Sequence, residues 1–111
     1  MPQYVILLYE TETPGGVADI PPEVMEAHGR VPEKVGAMGA KIVNAQATQP
    51  SSTATTIRKG GRVTDGPFIE SKEALAGWFV VEAKDLDQAI AIGKLVPIIE
   101  GGVEVRPLIE E

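Results

Sequence analysis

Runs of β-prone apolar residues alternate along this chain with two stretches of helical spacing. Tyr4-Val5-Ile6-Leu7-Leu8-Tyr9 is an unbroken β-forming run, stopped by Glu10 and the turn residues Thr13-Pro14-Gly15-Gly16. It predicts a first strand in the middle of a sheet. Pro21-Pro22 then opens a helix, because proline is tolerated in a first turn and Glu23 suits the positive end of the dipole. Val24, His28, Val31, Val35 and Met38 recur at steps of four, three, four and three, one face of a helix that ends at Gly39. Pro32 lies inside it and has no N–H for the His28 carbonyl, which predicts a kink there.

Lys41 to Gln46 is a weaker strand, and Thr48-Gln49-Pro50-Ser51-Ser52 reads as a loop. Thr53 to Lys59, Gly60-Gly61 and Arg62 to Thr64 form a hairpin whose glycines supply the positive φ of a tight turn. A two-residue turn sets Lys59 against Arg62, so either the tip is solvated or the loop is longer. Asp65-Gly66-Pro67 then bends the backbone sharply, ahead of the polar loop Glu70-Ser71-Lys72-Glu73. From Gly77 to Val81 every residue is apolar, as in a central strand covered on both faces; Trp78 and Phe79 point to opposite sides of it.

Asp85 with Gln88 three residues on has the spacing of a capping box, and Leu86, Ala89, Ile90, Gly93 and Val96 form the predicted apolar face of a second helix ended by Pro97. After Gly101-Gly102, Val103, Val105 and Pro107 alternate with Glu104, Arg106 and Leu108 in a last strand. The order β-α-β, hairpin, β-α-β predicts an α+β fold of ferredoxin-like type, with an antiparallel sheet carrying both helices on one face. The opposite face would be left bare. A second subunit laid sheet to sheet is the natural cover, so a homodimer is expected.

Length and composition narrow the function. At 111 residues the chain is read as one domain, residues 1–111, and its net charge of −6 argues against nucleic acid or an anionic membrane as a direct partner. It has no cysteine and one histidine, so it offers no disulfide, thiol nucleophile or multi-histidine metal centre. No dinucleotide signature, P-loop, nucleophile elbow or zinc pattern is present, and no cofactor is expected. The first residues carry neither a basic leader nor a long apolar run, which makes cytoplasmic location the expectation.

Thr64-Asp65-Gly66-Pro67-Phe68, Glu70, Lys72-Glu73, Gly77 and the closing Gly102-Val103-Glu104-Val105-Arg106-Pro107-Leu108 closely resemble the DGPF-domain proteins of the YCII-related family. The resemblance implies a dimeric α+β barrel, in which two ferredoxin-like monomers pack sheet to sheet. It implies little about activity: some DGPF proteins occur beside or fused to alternative sigma factors, and distant barrel relatives act on small cyclic substrates. It also implies a role for His28, since YCII proteins carry a histidine eleven residues before a helix-ending glycine, here Gly39, suspected of acting with an Asp. Where many of them have Asp-Pro after the second helix, this chain has Val96-Pro97, leaving Asp65 or Glu70 to stand in.

His28 and Asp65 are thus the candidate catalytic residues, and Phe68, Glu70, Lys72 and Arg106 the candidate ligand-binding residues. Each also has a structural reading: His28 packed on a helix stripe, Asp65 capping its own turn, Arg106 paired with Glu104 on one strand face. A polar site would lie between the Asp65 corner and His28, over one end of the sheet. Two functions follow. One is a homodimeric small-ligand-binding or regulatory module, with a sigma factor as a possible partner. The other is a cofactor-free enzyme performing proton transfer, isomerisation or elimination on a small organic acid.

Overall fold

Period-two alternation in the first strand sorts the whole sheet into two faces. In the computed structural model, which describes residues 1–110, Tyr4, Ile6 and Leu8 of β1 (Gln3–Thr11) are buried, while Val5 and Leu7 between them are not. β1 pairs antiparallel with β5 (Glu73–Glu82) on one side and β6 (Gly102–Pro107) on the other. β2 (Lys41–Ala47) adds to the far edge of β5, giving the order β2-β5-β1-β6. The predicted central strands are therefore both central.

Two helices cross one face of this sheet. α1 (Pro22–Ala37) carries the chain from β1 to β2 past β5, and α2 (Leu86–Leu95) carries it from β5 to β6 past β1. Two interleaved split β-α-β units of this kind are the ferredoxin-like arrangement. Val31 and Val35 of α1 and Ala89 and Ile92 of α2 close the core over Tyr4, Ile6, Leu8 and Val81, with Phe79, Val103 and Val105 packed at its margin. Gly39 ends α1 at φ 78°, as its spacing predicts. The helix runs as one element across Pro32.

The face of α2 matches the predicted one at Ala89, Gly93 and Val96 and differs at its other positions. Leu86 and Ile90 are exposed, whereas Ile92 is fully buried beside Ala89 and Gly93. Spacing alone allowed both stripes, since apolar residues lie on each, and the position of the sheet chose between them. Gly93 belongs to the chosen side, where a Cβ would approach Val105 Cγ2 to 3.2 Å and hold the helix off β6. The cap is as expected: the Asp85 carboxylate accepts the Gln88 N–H at 2.8 Å, and the Gln88 side-chain oxygen accepts the Lys84 N–H at 2.8 Å.

The hairpin is present but stands apart. β3 (Thr55–Arg58) and β4 (Arg62–Asp65) pair only with each other, in a separate two-stranded sheet that contributes nothing to the core. Its loop has three residues, Lys59-Gly60-Gly61, with the glycines at φ 94° and 87°, so Arg58 rather than Lys59 faces Arg62. Arg58 turns away from that repulsion and lies over the Phe68 ring, 4.6 Å from its centroid. Two single helical turns, Gly16–Asp19 and Ser51–Thr53, are not predicted from the sequence, and the second takes Thr53 out of the predicted hairpin strand.

The revised α2 face makes a direct prediction. Ile92→Ala is expected to cost about 2–5 kcal/mol in denaturant unfolding, as for a full cavity, and Ile90→Ala about 1 kcal/mol or less. Equal losses would mean that α2 is rotated from the position described.

Candidate functional site

The alternation that buries Tyr4, Ile6 and Leu8 carries Glu10 onto the same side as the helices, at the end of β1. There the chain returning from α2 wraps its carboxylate. Oε2 accepts the Ile99 N–H at 2.6 Å, and Oε1 accepts those of Glu100 at 3.0 Å and Gly101 at 2.8 Å. Glycine is required at 101, because a Cβ there would overlap the Tyr9 carbonyl. Burial on its own would raise the Glu10 carboxyl. The three N–H groups, helped by the His28 charge, outweigh it and hold the pKa below the ordinary value.

His28 lies half-buried beside this knot. Its ring lies near the backbone carbonyl of Pro97, which favours the protonated form. Burial lowers its pKa; the Pro97 carbonyl and the Glu10 charge oppose that and do not cancel it. The result is an imidazole that is neutral at neutral pH. Among the described residues no carboxylate lies within 4.0 Å of it as an ion pair. Glu10, its oxygens already engaged, acts on it through space.

A second place lies at the same end of β1, around the Asp65 turn. Glu12 accepts the Ser51 N–H at 2.6 Å and also the Ser51 hydroxyl, tying the Ser51–Thr53 turn to the sheet end. Facing this turn, Pro67, Ile69, Glu70 and Ser71 complete a cleft of about 310 Å³ with Ser51 and Ser52. Asp65 itself is exposed at the end of β4 opposite Thr55. The bend that follows it is fixed by the backbone: Gly66 sits at φ 98°, donates to the Ala54 carbonyl at 2.8 Å and accepts the Thr56 hydroxyl at 2.8 Å.

The residues singled out from the sequence therefore divide among three places. Glu70 joins the cleft, and Phe68 lies exposed beside it under Arg58, whose guanidinium also donates to the Phe68 carbonyl at 3.3 Å. Lys72 is exposed and outside the cleft lining. His28 joins Glu10 and Pro97 and shares no hydrogen bond or ion pair with Asp65. Arg106 lies on the bare face of the sheet, paired with Glu104. Trp78 is on that face too, its indole N–H donating to Asn44 at 2.8 Å. Among the described residues no group of three or more His, Asp or Glu side chains is placed to hold a metal ion.

Glu10 and Glu12 escaped the reading of the sequence. Counting the alternation two steps past Leu8 was the signal that would have found Glu10.

The profile of the YCII-related domain matches residues 3–111, nearly the whole chain. The chain belongs to the YCII-related family. This YCII-related chain is also 35% identical over 65 residues to an uncharacterized protein of Rhizobium meliloti (strain 1021), a match that covers 53% of the chain and 52% of the relative. The aligned part is thus about half the length of that curated relative. Among the described residues no helix is long and apolar enough to cross a membrane.

Both shifted groups make the fold lose stability on acidification. His28, held below its ordinary 6.5, favours the folded chain fully above that value, and the unfolded chain takes up its proton first as the pH falls. Glu10, held below its ordinary 4.5, contributes fully above 4.5 and loses that contribution as the pH falls through its lower folded value. Urea unfolding at about pH 7.5, 5.5 and 3.5 is expected to show His28→Gln flattening the first interval and Glu10→Gln the second. A His28→Gln profile parallel to the wild type across the first interval would contradict a neutral, partly desolvated imidazole.

Proposed function

We propose that this YCII-related chain is a homodimeric module that binds a small organic ligand in the cleft beneath the Asp65 turn. The observation that carries the reading is the cleft itself. Its volume of about 310 Å³ lies at the lower end of the range for small-molecule sites, and Ser51, Ser52, Ser71 and Glu70 supply hydroxyls and one carboxylate. Its two walls come from distant parts of the chain and are fastened separately, one by Glu12 and the other by the bonds around Gly66. A carboxylate among hydroxyls favours a ligand that donates hydrogen bonds, such as a polyol or an amino alcohol, and disfavours an anion.

The dimer rests on the bare face of the sheet. Val5, Leu7, Trp78 and Val80 share that face, and no helix covers it. A second copy stacked there would finish burying these half-buried side chains, each for less than the roughly 1.5–3 kcal/mol of one that starts fully exposed.

The alternative function, a cofactor-free enzyme, is favoured by the burial of His28, which lowers its pKa and keeps it neutral at neutral pH, the form a general base requires. A turnover abolished by His28→Gln in a folded dimer would select it.

The binding reading is tested by thermal-shift and calorimetric screening of neutral polyols, amino alcohols and small hydroxy acids against the wild type and Glu70→Gln. A ligand at about 100 times its Kd adds about 2.7 kcal/mol to the folded state, a shift of several degrees. Polyols or amino alcohols are expected to stabilise the wild type, and Glu70→Gln to weaken them about tenfold or more while leaving the free protein's Tm unchanged. A ligand bound equally by both chains would move the site out of this cleft. Sedimentation is expected to give a dimer at micromolar concentration that Leu7→Glu dissociates; a wild-type monomer would end the dimer reading.

A further inference from the structure

The Thr55–Asp65 hairpin is built unlike the rest of the chain. Its strands pair only with each other, and an isolated two-stranded ribbon is at best marginally stable in water. One of its faces is occupied, because Thr56 is buried against Gly66 and the Arg58–Phe68 stack lies over that side. The other face carries Ile57 directly opposite Val63, and these are 69% and 61% exposed. A cross-strand pair of large aliphatic side chains is what stabilises a ribbon when something covers it. Among the described residues of a single chain nothing does.

Charge suggests the cover. Arg58, Lys59 and Arg62 place three of the chain's ten cations within five residues at the hairpin tip, in a chain whose net charge is −6. The complementary surface is on the chain itself. At one end of the bare sheet face, Tyr9, Glu73 and Glu104, with Gly101, Gly102 and Val103, line a hollow of about 380 Å³. Its two carboxylates, of which Glu104 is also paired with Arg106, and the Tyr9 ring match a ribbon with a basic tip and an aliphatic flank.

We propose that the hairpin is an arm that docks on a second copy of this chain, with Ile57 and Val63 against the Tyr9 end of the second copy's bare face and Lys59, in the loop at the tip, against its Glu73 and Glu104. This rests on the dimer reading above and adds to it a reciprocal clasp, each copy holding the other by one arm as two-fold symmetry requires. The centre of the face stays free for sheet stacking. Because the arm leads directly into the Asp65 turn, docking ties the wall of the ligand cleft to the neighbouring subunit.

The test is the dimer dissociation constant of the full chain, by sedimentation velocity across a concentration series, with far-UV circular dichroism to confirm the fold. Ile57→Thr/Val63→Thr keeps β-branched residues in the ribbon and removes its aliphatic flank. Lys59→Glu reverses the tip, and Glu73→Lys/Glu104→Lys reverses the hollow. Each is expected to raise the Kd about tenfold or more, equivalent to about 1.4 kcal/mol. Mixing the two charge-reversed proteins is expected to restore a tight heterodimer, since each reversed arm then meets a reversed hollow. A dimeric wild type whose variants all stay within about twofold of its Kd, with no gain on mixing, would overturn the arm while leaving the dimer standing. A hairpin that instead serves nucleic acid or an unrelated protein would give that result. A monomeric wild type would overturn the dimer and the arm together.

Discussion

The antiparallel ladder between β1 and β5 is the constraint on which the rest of the structure depends. It sets Ile6 opposite Phe79 and Leu7 opposite Trp78, so one parity of each strand faces the helices and the other faces away. A slip of one residue would exchange the faces, exposing Ile6 and Val81 and turning Glu10 away from its loop. The ladder is kept in place by its own irregularity. Between Leu8 and Tyr9 the register shifts, β5 supplies Gly77 at that point, and a Cβ on Gly77 would lie 2.6 Å from the Gln46 carbonyl of β2.

The same parity makes the end of β1 a junction. Glu10 gathers three N–H groups from the chain entering β6, and Glu12 gathers Ser51 from the chain leaving β2. Carboxylates suit this work because each oxygen accepts more than one hydrogen bond and charge strengthens each of them. The consequence for chemistry is specific. A carboxylate spent on holding a loop is a poor proton acceptor, and His28, kept neutral by burial, feels the Glu10 charge without forming an ion pair with it. A binding role fits this arrangement with fewer additions than an acid/base pair does.

Opposite the helices, the sheet carries a mixture of large apolar and charged side chains. Trp78 and Leu7 lie beside Asn44, Glu104 and Arg106, and the polar members are paired with each other or with the indole. Pairing polar groups in advance lowers the cost of covering the face, because fewer are left unsatisfied when water leaves. The hairpin shows the same mixture on a smaller scale, with an apolar flank but a basic tip.

Sequence alone determined the elements and the order in which they occur. Tyr4 to Tyr9, Gly77 to Val81, the α1 stripe ending at Gly39 and the Asp85 cap each follow from local spacing and turn chemistry, which act over a few residues, and together with the β-α-β order they lead to the ferredoxin-like sheet. What required tertiary structure was every choice between equivalent faces and every contact between distant segments. α2 has apolar residues on two sides, and only the sheet selects Ile92 over Ile90. The hairpin reads like any other pair of strands, and only its separation from the four-stranded sheet distinguishes it. Glu10 meets its loop across about ninety residues of chain, a closure that no local pattern encodes and that packing of the two interleaved units brings about. Function divides in the same way: His28 and Glu70 were visible as residue types in a family pattern, but their partners, Pro97 and Glu10 for one and Ser51 and Ser52 for the other, exist only where the folded chain brings them together.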